Sequence, residues 1–410
     1  MSEFTDYEDL LKIYYNGQMV EDLTNTDNPW LAMMARKKMA GQSMPLPVIE
    51  TYGQGLSADF STAKTNQTNG RPDKFNLTAS SLYQVVNIDR LTWKSSLGSN
   101  ASFLDYMKFK IDGGIQGVAN GLAYYSFRSG TGVLASTDGT SGISTGVITL
   151  TDPDSVTFFE VGAVLRASTS DDASTGSNQI SAKGYVIAID YSAGTVTVST
   201  TATGSAGTPT GWQPGGTIYL LIDGTANAVA AGLAGWIPQS ASGLGTAFKG
   251  VTRSVDPARL AGSRYDGSAV TVEEALLNAS SLLGRMGKKP DIAVVSTDVY
   301  NQLQKALQGR VVFIESKVGT VGFEALKVNG AKGPIAVYQD RSAPQQNGWL
   351  ITTRNWGLYS VGPAPELQVD DFGRLLRNAD SDGYQAVVSG YYDFGCDAPV
   401  GQCAVKFAAP

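Results

Sequence analysis

Cys396 and Cys403 are the chain's two thiols, and they bracket Asp397-Ala-Pro399-Val-Gly401-Gln, a turn between two expected strands. Two cysteines are too few for a disulfide scaffold, and this spacing is too wide for a zinc knuckle. Buried free thiols are the expectation, with a disulfide as the alternative. Asn378-Ala-Asp380-Ser-Asp382-Gly383 imitates the first half of a calcium loop, but Ser389 stands at the twelfth position, where the closing glutamate is needed. A polar turn is the reading there. Gly284-Arg-Met-Gly287-Lys-Lys matches neither phosphate-loop spacing and ends a helix. There is no histidine at all. That removes the usual general base near neutral pH, the commonest metal ligand, and any Ser-His-Asp or Cys-His nucleophile. No catalytic, cofactor-binding or metal-binding residue is assigned, no cofactor is expected, and the chain reads as a non-enzyme.

The 410 residues are enough for two or three domains. With 42% hydrophobic and 17% charged residues the chain is globular rather than disordered. Its 47 glycines against 16 prolines point to many turns and β-hairpins. A net charge of −6 argues against tight nucleic-acid binding, which needs clustered Lys and Arg. The first eleven residues are acidic and lack the apolar run of a secretory signal, and no stretch approaches the roughly 20 apolar residues of a membrane span. A soluble protein made in a cytoplasm is expected.

The elements follow from periodicity. Residues 1–45 read as two short helices on an apolar arm, the second with Asn28 as N-cap, Pro29 at the first helical position and Gly41 past its end. Met33, Met34, Met39 and Met44 make this arm adaptable and apolar, so it must pack on the fold or on another subunit. Residues 47–96 are expected to form one long hairpin whose polar tip, 64–72, turns at Asn69-Gly70. Between 103 and 127, Phe103, Met107, Ile111, Ile115, Val118, Leu122 and Tyr125 share one helical face. Gly113, Gly117 and Gly121 are four apart on this helix, a ridge that lets another backbone approach closely.

Residues 131–235 are rich in Ser, Thr and Gly, with short strands at 147–150, 163–167, 185–190, 195–199 and 217–222, as in a small all-β barrel or sandwich. This section holds eight acids and two bases, so it carries the whole net charge of the chain. From 265 onward helices and strands mix. Thr271 and Glu274 form a capping box for a helix ending at Gly287, and Ser296 caps another that stops at Gly309. A strand at 292–295 lies between them, and strands follow at 311–315, 323–328, 335–339, 349–353, 357–361, 384–394 and 402–407.

This order resembles the major capsid proteins of tailed bacteriophages, a fold shared with herpesvirus shell proteins and encapsulins. Asp27-Asn28-Pro29-Trp30-Leu31 with Met44-Pro-Leu-Pro47 is similar to the family's entry into its E-loop, and Gly55-Leu-Ser-Ala-Asp-Phe60 to an E-loop strand. Lys327-Val-Asn-Gly330, Pro334-Ile335 and Asp340-Arg341 resemble a late A-domain hairpin. Trp356-Gly-Leu-Tyr359 with Gly362 resembles the next strand, and Cys396-Asp-Ala-Pro399 the terminal turn.

The resemblance implies an α+β, HK97-like fold. Its parts would be an N-terminal arm (1–46), an E-loop hairpin (47–96), a P-domain spine helix (97–130), an inserted all-β domain (131–235), a return linker (236–264), an A-domain (265–362) and C-terminal strands of the P- and A-domains (363–410). It implies a structural shell subunit that assembles as hexamers and pentamers into an icosahedral virion capsid in the host cytoplasm. An encapsulin-like nanocompartment is the alternative. The implied partners are other copies, a portal protein at one vertex, a separate scaffolding protein and decoration proteins, with no sequence-specific nucleic-acid or membrane binding. A few members cross-link an E-loop lysine to a neighbour's asparagine. Lys64 lies near that tip, but no acid catalyst can be placed and the site is left empty. The disulfide alternative at Cys396 and Cys403 would form after host lysis.

Overall fold

The computed structural model describes residues 28–90, 100–137, 143–171, 178–212, 216–307, 313–318, 321–368, 376–377 and 382–408. A spine helix, Asn100–Phe127, crosses a six-stranded sheet whose central strand is Gly383–Cys396. Ser80–Asp89 runs antiparallel along that strand, and Trp356–Ser360, Glu366–Gln368 and Leu376–Arg377 also pair with it. Ile111, Ile115, Val118 and Leu122 of the helix are buried against the sheet, as their spacing requires. Phe103 and Met107 lie outside the described side chains.

A glycine ridge does face the strand, shifted by one residue, and what reaches it is side chains rather than another backbone. Gly114, Gly117 and Gly121 face Val86, Gln84 and Leu82, alternate residues of strand Ser80–Asp89, whereas Gly113 faces open space. Steps of three and four keep a helical face better than repeated fours, which drift around the axis.

The expected helix at 29–40 is cut short. Pro29–Met33 is helical, but Ala35–Lys38 enters the sheet as a strand parallel to Trp356–Ser360. Asn28 makes no side-chain cap; the buried carboxylate of Asp340 accepts the Trp30 N–H at 3.2 Å instead. Trp30, Leu31, Met34 and Met39 are buried in the chain's own core, with Trp30 edge-on to Trp356 at 5.5 Å. The first helix expected in 1–45 lies outside the described residues.

Residues 47–96 do not form one hairpin. Ser43–Thr51 pairs with Arg71–Thr78 in a two-stranded ribbon, and Ser80–Asp89 leaves it for the six-stranded sheet. Asn69-Gly70 makes no tight turn, because the connection carries a helix, Phe60–Thr65. Asp59 stabilises this helix by accepting the Thr62 N–H at 2.8 Å.

The spine helix leads into seven antiparallel strands drawn from residues 133–222, in the order Val133–Ser136, Tyr219–Ile222, Val164–Ser168, Gln179–Asp190, Thr195–Ser199, Val147–Thr149, Ile143–Ser144. A bridge between Thr137 and Leu150, with the Thr151 N–H donating to Ser136 O at 2.9 Å, joins the first strand to the sixth and closes a barrel. Its core includes Phe158, Phe159, Leu165, Trp212 and Leu220, with Tyr124 and Tyr125 inserted from the spine helix.

A third, mixed sheet of seven strands runs Ser263–Gly267, Cys403–Phe407, Asn347–Ile351, Ile292–Val295, Gly333–Gln339, Val321–Gly330, Phe313–Val318. Helices Val272–Arg285 and Thr297–Ala306 bury Leu276, Ala279, Leu283, Val299 and Leu303 against it. Thr271 and Ser296 cap them as their sequence positions predict.

Candidate assembly surface

The ribbon has a pinned root and a bare tip. At the root Phe75 is buried edge-on to Trp236, with ring centroids 4.9 Å apart. Trp236 in turn meets Phe248 at 5.3 Å and Trp356 at 6.4 Å. Beside these rings a buried ion pair joins Lys249 Nζ to Asp393 Oδ2 at 2.6 Å, and the same carboxylate oxygen accepts the Thr78 N–H at 3.0 Å. Burial pushes the Asp393 carboxyl above its ordinary range, against the pull of Lys249. A carboxylate so placed is tolerable only with these partners, so the ion pair and the ribbon root fix one another.

Halfway along, Arg71 bonds the nearly buried Glu50 at 3.2 Å, while Arg259 donates to the Glu50 carbonyl at 3.3 Å and stacks on Tyr52. Beyond that point support ends. Leu56 is 101% exposed and Phe60 83%. The tip is nevertheless shaped: its loop closes where Gly53 approaches the backbone of Thr68 and Gly70. Asp59 is held down at about 2 by the hydroxyls of Ser61 and Thr62 and by the Thr62 N–H. An ordered protrusion carrying bare apolar side chains is a surface prepared for another surface.

The other sequence candidates fall elsewhere. Cys396 lies in the core under the six-stranded sheet and Cys403 in the core of the mixed sheet; both are free and buried. Burial pushes the Cys403 thiol up to about 12 and Cys396 further still, so neither is a ready nucleophile. Residues 378–381 of the calcium-like turn lie outside the described residues, and Asp382 pairs with Arg90 at 3.2 Å. Among the described residues no cluster of carboxylates or thiols could hold a metal ion, and no helix is long and apolar enough to cross a membrane. Lys64 sits in the last turn of the tip helix. The root's Lys249–Asp393 pair escaped sequence reading, since nothing local marks two residues 144 positions apart.

No protein-family model matches the sequence, and no curated protein does. Solved structures do match. The capsid asymmetric unit of cyanophage A-1(L) superposes with a TM-score of 0.52 at 11% identity, over 94% of this chain and 95% of that one. A holo-SrpI encapsulin complex from Synechococcus elongatus PCC 7942 gives 0.46 at 7% identity, over 92% and 85%. The procapsid of satellite phage P4 gives 0.43 at 10% identity, over 100% and 99%. The last two scores are too low to add weight; the first covers nearly the whole of both chains. The chain therefore has the fold of a phage capsid protein.

Proposed function

We propose that this chain is the major capsid protein of a tailed double-stranded DNA phage, assembling as hexamers and pentamers into an icosahedral shell around the genome. The observation that carries the reading is a capsid fold over 94% of the chain combined with an ordered ribbon whose apolar tip its own subunit leaves bare. In HK97-like terms, the spine helix and six-stranded sheet correspond to the P-domain. The ribbon is the E-loop, residues 28–39 belong to the N-terminal arm, the mixed sheet with its two helices is the A-domain, and the barrel is an inserted domain. The work is geometric. A-domains meet around each capsomer axis, ribbons reach over neighbouring subunits, and maturation shifts these contacts as the shell expands. An acidic or neutral inner wall lets packaged DNA slide, where a basic wall would bind it. The implied partners are other copies, a portal protein at one vertex, a separate scaffolding protein and decoration proteins on the finished virion.

Electron microscopy of the full chain expressed with its neighbouring genes tests this. Closed icosahedral particles with a portal vertex are expected. Soluble monomers at every concentration would overturn the reading. Shells that fill with an enzyme in place of DNA would transfer it to an encapsulin-like compartment.

A further inference from the structure

The sequence holds five Asn-Gly pairs, and the fold treats them differently. In such a pair the backbone nitrogen of the glycine can attack the asparagine side-chain carbonyl carbon, because no β-carbon shields it. A bond forms between that nitrogen and Cγ, the side-chain nitrogen leaves as ammonia, and a cyclic imide remains. Water then opens the imide at either carbonyl, giving aspartate or isoaspartate. One water enters and one ammonia departs, with no oxidant or reductant. Ring closure needs the backbone between the two residues to rotate, so a helix or strand ladder that holds it must open first.

Three of the pairs are held in this way. Asn120-Gly121 lies in the spine helix, and the Asn120 side chain accepts from Arg341 and Gln116. Asn329-Gly330 lies in a ladder, Asn329 opposite Pro334 and Gly330 opposite Gly333. Asn347-Gly348 lies in the mixed sheet opposite Lys406 and Val405, and a β-carbon on Gly348 would meet Phe407 and Val295 at 2.8 and 2.9 Å. Asn16-Gly17 is outside the described residues. Asn69-Gly70 differs from the three. It falls between the tip helix Phe60–Thr65 and strand Arg71–Thr78, belongs to neither, and is exposed at both residues. Its flanks are anchored. The Thr68 N–H donates to Gln54 O at 2.8 Å, the Thr68 hydroxyl accepts the Gln54 N–H at 2.9 Å, and Arg71 bonds Glu50 at 3.2 Å.

We infer that Asn69 is a self-modifying site, which converts through this imide to aspartate and isoaspartate and so ages the ribbon tip. Either product adds one negative charge to the tip that carries the bare Leu56 and Phe60. Isoaspartate also lengthens the backbone by one carbon between Thr68 and Arg71, whose anchors are set for the shorter path. The bonds between Thr68 and Gln54 then loosen. The reaction belongs to the loop itself and does not depend on what the subunit assembles into.

Incubating the full chain in mildly alkaline buffer, which favours the attacking nitrogen, tests this by peptide mass mapping, with isoaspartate counted by carboxyl methylation. Conversion at Asn69 is expected to be at least about tenfold faster than at Asn120, Asn329 and Asn347, which react only from locally opened states. In denaturant the four rates should converge. Equal rates in the folded chain, a preference for Asn69 that persists on unfolding, or aspartate without isoaspartate would each overturn the inference. Gly70→Ala shields the nitrogen and should slow conversion by on the order of tenfold. The added methyl would stand 3.2 Å from Thr51 O, so the variant is also read in denaturant, where only the shielding remains. An undiminished rate there would count against the imide. In converted chains the Thr68 N–H should exchange faster, and unchanged exchange would reject the ageing of the tip.

Discussion

A β-carbon added at Gly114 would stand 2.8 Å from Val86 Cγ2 and 3.3 Å from Val388 Cγ2, two branched side chains fixed in neighbouring strands. At Gly117 its three nearest neighbours would all be atoms of the Gln84 amide, the end of a flexible side chain that can swing away. Gly114→Ala should therefore overpack and lose about 1–3 kcal/mol in denaturant unfolding. Gly117→Ala should be neutral or gain up to about 1 kcal/mol from helix propensity. Equal effects at the two positions would mean that strand Ser80–Asp89 does not lie this close to the helix. Asp340 makes a second prediction at this scale. Fully buried, it is raised by desolvation to about 6 despite accepting the Ser342 and Trp30 N–H groups. Its neutral form is the stable one, so its contribution is complete below about pH 4 and lost as pH rises through about 6. Unfolding free energy should rise from about pH 7.5 to about pH 5, and Asp340→Asn should flatten that slope by up to about 1.4 kcal/mol per pH unit. An unchanged slope in the variant would reject the assignment.

The ribbon and the N-terminal segment contribute differently. Leu56 and Phe60 touch little of their own subunit, so Leu56→Ser with Phe60→Ser should leave the unfolding midpoint where it is. Burying each on a neighbour is worth about 1.5–3 kcal/mol. The double substitution should therefore raise the protein concentration needed for assembly by at least about a hundredfold in light scattering. Normal assembly would show that the tip is not an interface. Residues 28–39 behave in the opposite way. Trp30, Leu31, Met34 and Met39 are core residues, and Ala35–Lys38 is a strand of the six-stranded sheet. Deleting 1–40 would thus unseat the fold rather than leave a soluble body, while a chain starting at Asn28 keeps these contacts. The measurable form is Trp30→Ala, which should cost about 3–5 kcal/mol.

Across the whole molecule, charge is unevenly placed. Both bases of the barrel section, Arg166 and Lys183, bond to one acid, Asp223, each at 2.6 Å. The section's other seven acids leave it strongly negative. Such a body suits the outside of a shell, facing solvent and partners rather than DNA. The chain's own thiols are buried, so Ala193→Cys, in an exposed turn of the barrel, gives a clean label site. Maleimide should reach it on closed particles. Labelling only after the particles are broken would place the barrel inside.

The sequence alone determined the elements whose signals are local. Caps at Thr271 and Ser296, the apolar face of the spine helix and strands such as Val147–Thr149, Val164–Ser168, Thr195–Ser199, Ile292–Val295 and Cys403–Phe407 follow from side chains a few residues apart, within reach of backbone hydrogen bonding and period. Val133–Ser136, Ile143–Ser144, Glu366–Gln368 and Leu376–Arg377 carried no such signal. The absence of histidine likewise ruled out whole classes of chemistry before any coordinate. Tertiary structure decided what depends on distant partners. It ended the helix at Met33 by offering Trp356–Ser360 as a neighbour, and moved its cap from Asn28 to Asp340. It split the expected hairpin by giving Ser80–Asp89 a longer partner in Gly383–Cys396, and set Gly114 in the ridge where Gly113 was expected. The Lys249–Asp393 and Arg71–Glu50 pairs belong to the same class. Burial and proximity made them, and neither quantity exists until the chain has folded.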